Sequence, residues 1–307
     1  MKKETVYLNS TDGKNRLHGF VWLPDAEPAA VLQITHGMAE YIDRYDAFAS
    51  YLAENGIAVV GHDHLGHGES VQSEEDLGFF AAKDGDRIVI DDIHLWTLEA
   101  KKRFPGKKLF LLGHSMGSFL ARRYLAVYGG ELDGAVIMGT GNVPAAVANI
   151  GIFCAKTSIL FHKDHYRSKF LTNLTLGSNN KPFKPNRTEV DWLSANEENV
   201  DRYAADPLCG FLFTNAAFLD FFTVMKQDAK QEGFETIPRS LPILITSGEL
   251  DPVGGTKACT AVKAEYDALG FSDVTLKLYP GDRHEILNEN DRAQVYADIR
   301  GWIEDRI

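Results

Sequence analysis

The pentapeptide Gly113-His114-Ser115-Met116-Gly117 has the G-x-S-x-G spacing that presents a serine for acyl transfer. Its context makes the spacing specific. The apolar run LFLL precedes it and the amphipathic stretch FLARRYL follows it, so the serine sits where a strand turns into a helix. Side chains at the two glycine positions would collide with backbone in so sharp a turn. A serine hydroxyl needs a base, and the base needs a carboxylate behind it. Both are expected later in the chain. Asp251 follows the strand-like LPILITSG, and His284 follows VTLKLYPG. No histidine follows His284, which makes it the sole candidate base after Asp251. Glu249 is the runner-up acid, and Asp282 is too near His284 in sequence to reach its far ring nitrogen. The plain alternatives are a loop aspartate, a surface histidine and a solvated serine in a Gly-rich turn.

The oxyanion of a tetrahedral intermediate needs two backbone donors. The Met116 N–H, at a helix start, supplies one. The second falls to Met38, in the turn His36-Gly37 after the strand ending AVLQIT. His36 could be mistaken for a general base, but its expected role is to hydrogen-bond the backbone and hold that loop. A rival chemistry lies in GHDHLGHGES, where His62, His64 and His67 have a spacing close to zinc-binding patterns. No cysteine or carboxylate stands at a ligand position two or three residues on. The preferred role for these histidines is packing, as polar side chains that cap strand ends and fix the loop, with no metal and no cofactor.

The elements that must position these residues follow from apolar periodicity. Two alternating strands near Thr5–Leu8 and Leu17–Trp22, joined at Asp12-Gly13, read as an antiparallel hairpin. Short apolar strands then alternate with helices: strands Ala30–Thr35, Ile57–Gly61, Lys108–Gly113, Gly134–Met138, Leu241–Ser247 and Val274–Tyr279, and helices Tyr45–Asn55, Asp86–Phe104, Met116–Tyr128, Thr256–Leu269 and one from Asn290 onward. That rhythm means an α/β fold: a mostly parallel sheet of about eight strands with helices on both faces. Residues 1–142 and 237–307 form this core. Residues 143–236 lack strand alternation, are rich in aromatics, and read as a helical lid inserted into the core rather than an independent domain. Phe153, Phe161, Phe211 and Phe213 are its candidates to line an apolar channel for an acyl chain; plain packing of lid on sheet explains them equally well.

The bulk composition excludes several classes. The 307 residues are 44% hydrophobic and 24% charged, with a formal net charge of −11. No Lys/Arg stripe offsets that charge, so nucleic acid is not a partner. The uncharged run 134–155 is long enough to span a bilayer, but Gly139, Gly141, Asn142 and Pro144 interrupt it, and it reads as a strand and then a loop entering a helix. Three scattered cysteines, Cys154, Cys209 and Cys259, fit neither a disulfide framework nor a zinc site, and the N-terminus lacks the apolar stretch of a secretory signal. A cytoplasmic setting is expected.

Taken in order, ITHGMAEYIDRYDAFASYLAENGIAVVGHDHLGHGES, LFLLGHSMGS, ADPLCGFLFT, ITSGELDPVG and YPGDRHEILNE resemble the monoacylglycerol lipase and lysophospholipase branch of the α/β-hydrolases, which overlaps the serine aminopeptidase S33 class. The resemblance runs through nearly the whole chain. It implies the α/β-hydrolase fold, a Ser115–Asp251–His284 triad, an oxyanion hole from the Met38 and Met116 amides, and a DHLGHGES loop without metal. The implied substrate is a small ester with an acyl chain, and the lid allows transient membrane-surface contact. Lids vary and choose substrates, so chemistry is fixed better than substrate. The rivals are a proline-type aminopeptidase, for which Glu197, Glu198 and Asp201 would supply an acidic pocket, and a non-catalytic ligand receptor on the hydrolase scaffold.

Overall fold

The computed structural model describes all 307 residues. Eight strands form one sheet in the order β1-β2-β4-β3-β5-β6-β7-β8. β1 (Lys2–Asn9) and β2 (Arg16–Leu23) make the antiparallel hairpin, and β2 runs antiparallel to β4. β3 (Ala30–Thr35), β4 (Ile57–His62), β5 (Lys108–His114), β6 (Gly134–Met138), β7 (Ile243–Gly248) and β8 (Val274–Tyr279) pair in parallel.

The central strands read as unbroken apolar runs because both faces of the sheet are covered. Side chains alternate between two cores. In β5, Leu109 and Leu111 enter the core under α2 (Gly85–Arg103) and α3 (Met116–Tyr128). Phe110 and Leu112 enter the core under α1 (Asp46–Glu54) and the last helix of the chain. β7 begins at Ile243, two residues later than the apolar run suggests, because Pro242 has no N–H to donate.

Between β6 and β7 the chain builds four helices: α4 (Ala145–His162), α5 (Lys169–Leu176), α6 (Glu197–Ala205) and α7 (Asn215–Ala229). The insertion has only a small cluster of its own, Trp192, Leu193, Tyr203 and Cys209; the rest packs on the sheet's helices. Phe218, Phe221 and Phe222 of α7 share one apolar cluster with α2 and α3. The chain closes with α8 (Gly255–Ala268) and α9 (Arg292–Glu304).

α4 inverts the usual pattern of a surface helix. Its buried residues are small: Ala148, Gly151 and Ala155. Its large residues face outward: Phe153 is 70% exposed, Leu160 74% and Phe161 72%. By length and mean hydropathy alone it could cross a bilayer. Small residues let it seat closely on α7, where a Cβ on Gly151 would lie 2.7 Å from the Phe222 ring. Gly151→Val is therefore expected to lower stability by about 1–3 kcal/mol through overpacking. A urea midpoint equal to that of the wild type would show that α4 is not seated there.

Candidate active site

Ser115 joins β5 to α3 with φ 54° and ψ −120°, a conformation costly for a residue with a side chain. Two glycines make the turn sterically feasible. A Cβ on Gly113 would lie 2.2 Å from the Gly117 carbonyl oxygen, and one on Gly117 would lie 2.1 Å from that of Thr35. Hydrogen bonds pin the turn on both sides: the Ser115 N–H donates to Met138 O at 2.9 Å, and the Ser118 N–H donates to Ser115 O at 2.8 Å.

His284 and Ser115 line the same cavity. The His284 Nδ1 lies 2.9 Å from Asp251 Oδ1, and both side chains are buried. The indole of Trp192 lies against His284 with ring centroids 4.9 Å apart. Asp251 also accepts from the Ser247 hydroxyl and the Val253 N–H, each at 2.8 Å. Burial alone would raise its pKa. The facing imidazole and these hydrogen bonds outweigh burial and hold the carboxyl below its ordinary range. Asp251 is thus a stable anion behind His284. Glu249, the runner-up acid, is exposed.

Met38 and Met116 flank Ser115. The Met116 N–H opens α3, where the first turn has no intrahelical acceptor. The Met38 N–H donates to no protein acceptor. Its loop is held from inside. His36 Nδ1 donates to Gly37 O at 2.8 Å, and its Nε2 accepts from the His64 N–H at 3.0 Å. Those bonds occupy both ring nitrogens and fix the neutral tautomer, and burial pushes the imidazole's pKa down. His36 holds the loop.

The three histidines of the DHLGHGES loop do not share one role. His67 donates to Leu65 O at 2.9 Å and accepts from the Ala39 N–H at 3.4 Å, bracing the Met38 loop; burial pulls its pKa down to about 3. His62 stacks flat on Trp96, and His64 packs against His36. Both rings pack, as expected, but the ring nitrogens of His62 and His64 bond nothing, so these two cap no strand end by hydrogen bonding. The side chain that organises the loop is Asp63. It accepts from the Ile42 N–H, the Glu69 N–H and His18 Nδ1 at 2.8–2.9 Å.

Two cavities meet at Ser115. One, of about 400 Å³, is lined by Glu40, His114, Asn173, Asn180, Glu189 and Tyr203 among others, with Phe211 and Phe213 in its wall. It has three glutamates and no lysine or arginine in its lining. The other, of about 430 Å³, is more apolar, with Met116, Phe119, Phe221, Phe222, Met225 and Val253 in its wall. Val147 and Ile150 of α4 rim it and are themselves exposed. Phe153 and Phe161 line neither cavity. They lie on the outer face of α4, because the helix turns its small residues inward; the channel role expected for them is corrected. Glu197, Glu198 and Asp201 likewise stand outside both cavities, facing Arg187 and Arg202 in surface ion pairs.

A family model described as serine aminopeptidase, S33, matches residues 26–291. The chain belongs to this family. It is 27% identical to the monoglyceride lipase of Homo sapiens, covering 99% of this chain and 91% of that one. It is 28% identical to the monoacylglycerol lipase of Mycolicibacterium smegmatis, covering 92% and 91%. A thermostable carboxyl esterase from Bacillus coagulans, solved with glycerol, superposes over 99% of each chain with a TM-score of 0.91 and 28% identity. The chain is a serine hydrolase with the α/β-hydrolase fold.

Sequence reasoning missed Glu40, Arg44, Tyr45 and Glu285, which form a buried polar cluster beside the site. The four-residue spacing of Glu40 and Arg44 pairs those two, but no local signal points to Glu285. The strained turn itself is testable. Ser115→Ala and Ser115→Gly both delete the hydroxyl, but only glycine relieves the positive φ. Relief of about 1–3 kcal/mol should outweigh glycine's entropic cost, so Ser115→Gly is expected to match or exceed Ser115→Ala in thermal stability. A glycine variant clearly less stable than the alanine variant would show the turn to be unstrained.

Proposed function

We propose that this enzyme is a serine esterase acting on monoacylglycerol-type esters through an acyl-enzyme on Ser115, with residues 143–236 as its lid and 1–142 and 237–307 as its core. The observation that carries the reading is the position of Ser115 at the junction of a polar cavity and an apolar one. Ser115 attacks the ester carbonyl and His284 takes its proton. Asp251 orients His284 and stabilises the imidazolium. The Met38 and Met116 amides receive the oxyanion, each contributing about 3–4 kcal/mol to the transition state. His284 returns the proton to the leaving alcohol, and water then cleaves the acyl-enzyme.

The apolar cavity takes the acyl chain, at about 0.8 kcal/mol per buried methylene. The polar cavity takes the alcohol. Its carboxylates and its lack of lysine or arginine favour an uncharged glycerol over the phosphate of a lysophospholipid. Glu197, Glu198 and Asp201, the carboxylates expected to bind a free amine, stand outside this cavity in surface ion pairs, which favours ester over peptide substrates. The named relatives, two monoacylglycerol lipases and an esterase, agree with this reading.

The outer face of the lid is the docking surface for the lipid. Phe153, Leu160, Phe161 and Phe170 are largely exposed, and Lys156, Lys163 and Lys169 among them form no ion pair. Contact is transient, since burial of a few such side chains contributes roughly 1.5–3 kcal/mol each. The three unpaired cysteines fit a cytoplasmic enzyme.

A fluorophosphonate should label the wild type and not Ser115→Ala. Hydrolysis should rank monoacylglycerol above lysophosphatidylcholine and both far above proline amides. Labelling that persists in Ser115→Ala, or preference for the amide, would overturn the assignment. Separately, Phe153→Ser combined with Phe161→Ser should abolish co-sedimentation with phospholipid vesicles while sparing hydrolysis of a soluble p-nitrophenyl ester. Undiminished vesicle binding would place the docking surface elsewhere.

A further inference from the structure

His114, the residue before Ser115, is buried between the oxyanion loop and the loop that carries His284. Its Nε2 lies 3.2 Å from the backbone carbonyl of His284. A carbonyl oxygen can only accept, so Nε2 carries a hydrogen. Its Nδ1 lies 2.9 Å from the Tyr45 hydroxyl and 3.2 Å from Glu40 Oε1. The Tyr45 hydroxyl also lies 2.8 Å from Glu40 Oε1, and a carboxylate is the stronger acceptor for its one proton. With that proton on Glu40, Nδ1 faces two oxygens that offer only lone pairs, and the geometry calls for a hydrogen on it as well.

The surrounding charge requires the same state. Glu40 accepts from the Gly37 N–H at 2.6 Å and from Arg44 Nη1 at 2.6 Å. Glu285 accepts from both terminal nitrogens of Arg44 at 2.7 Å and from Asn199 at 2.7 Å. Two carboxylates and one guanidinium leave the buried cluster one negative charge in excess. An imidazolium balances it, and an unbalanced buried charge is strongly destabilising.

We propose that His114 is a protonated positioning residue, an imidazolium that ties the oxyanion loop, through Glu40, to the backbone of the base, through the His284 carbonyl. The consequence for catalysis rests on the hydrolase reading above; the protonation state does not. Glu40 holds the Gly37 N–H, so the imidazolium fixes the amide of Met38 and the height of His284 together. The groups facing it are His36 and Glu40 from the loop after β3, Arg44 and Tyr45 from the turn before α1, and His284 and Glu285 from the loop after β8. Burial disfavours the charge on His114. The bond and charge of Glu40, the charge of Glu285 and the His284 carbonyl outweigh burial and raise its pKa above the ordinary histidine value. The tie is thus complete below about pH 6.5 and is lost as pH rises through the raised value.

The test is the ring-nitrogen spectrum of ¹⁵N-histidine-labelled protein, assigned with His114→Gln. One histidine whose two ring nitrogens stay protonated to a pH above the ordinary histidine value of about 6.5, absent from His114→Gln, is expected in the wild type and equally in the inactive Ser115→Ala. A His114 with one bare nitrogen at about pH 6.5 would overturn the proposal. Where His114→Gln fails to fold, the assignment comes from the signal that Tyr45→Phe shifts. In the pH–rate profile, kcat of the wild type should fall on the alkaline side with KM little changed. Glu40→Gln should move that limb at least one pH unit lower, a tenfold loss of proton affinity. His114→Gln should lose on the order of 100-fold in kcat from misplacement of the reacting groups and should show no such limb. An alkaline limb unchanged in Glu40→Gln would remove the link to catalysis while leaving the spectrum to decide protonation.

Discussion

The close approach of α3 to β3 governs the site. Gly117 lies against the Thr35 and His36 carbonyls, nearer than any side chain permits. Only that contact lets the chain leave β5 through a residue at φ 54° and enter a helix at once. Three consequences share this one cause. The Ser115 hydroxyl is lifted from the sheet edge, the Met116 N–H is left free at the helix start, and the Met38 loop lies next to it, with a Cβ on Gly37 falling 3.2 Å from that of Ser115. The strain is of order 1–3 kcal/mol, and the hydrogen bonds of Ser115 N and O on either side hold it in place.

A second layer keeps three loops in register. The loops after β3 and β8 and the helix α6 belong to distant parts of the chain, and each contributes to one buried cluster around Arg44. Its guanidinium meets Glu40 and Glu285, and Tyr203 lies over it at 4.8 Å. Asn199 on α6 closes the ring through Glu285. Apolar contacts would hold these loops with looser register. Directional bonds to charged groups fix the distance between the Met38 loop and the His284 loop, at the expense of burying three charged side chains. The half of the insertion nearest His284 is tied down by polar bonds, as in the Tyr203 hydroxyl on Ala39 O and the Gly210 N–H on the same oxygen. α4 is held by apolar packing.

What was legible in the sequence follows from this division. Strands such as Ala30–Thr35 and Gly134–Met138 were legible because burial on both faces makes them continuous apolar runs bounded by turn residues. Ser115, Asp251 and His284 stand out because each follows such a strand; the structure brings Asp251 to His284 and sets His284 and Ser115 on one cavity. The Arg44 cluster was not. Arg44 and Glu285 are 241 residues apart, and nothing in local pattern says that two ordinary charged residues will meet. Nor could periodicity place Phe153 and Phe161. It tells which residues share a helix face, and it assumes that the large apolar face is the covered one. In α4 the covered face is the small one, since Gly151 must admit the Phe222 ring.

That inversion connects the surface of the lid to its chemistry. Val147 and Ile150 are exposed and at the same time rim the apolar cavity that ends at Ser115. The outer face of α4 and this cavity are therefore one continuous apolar path. On the function proposed above, an acyl chain taking this path from a lipid surface to Ser115 stays out of water, which would otherwise oppose transfer by about 0.8 kcal/mol for each methylene. An exposed face of this size favours self-association in an ordinary globular protein. Here the net charge of −11 opposes it by mutual repulsion between copies, while the unpaired Lys156, Lys163 and Lys169 leave the face itself locally basic.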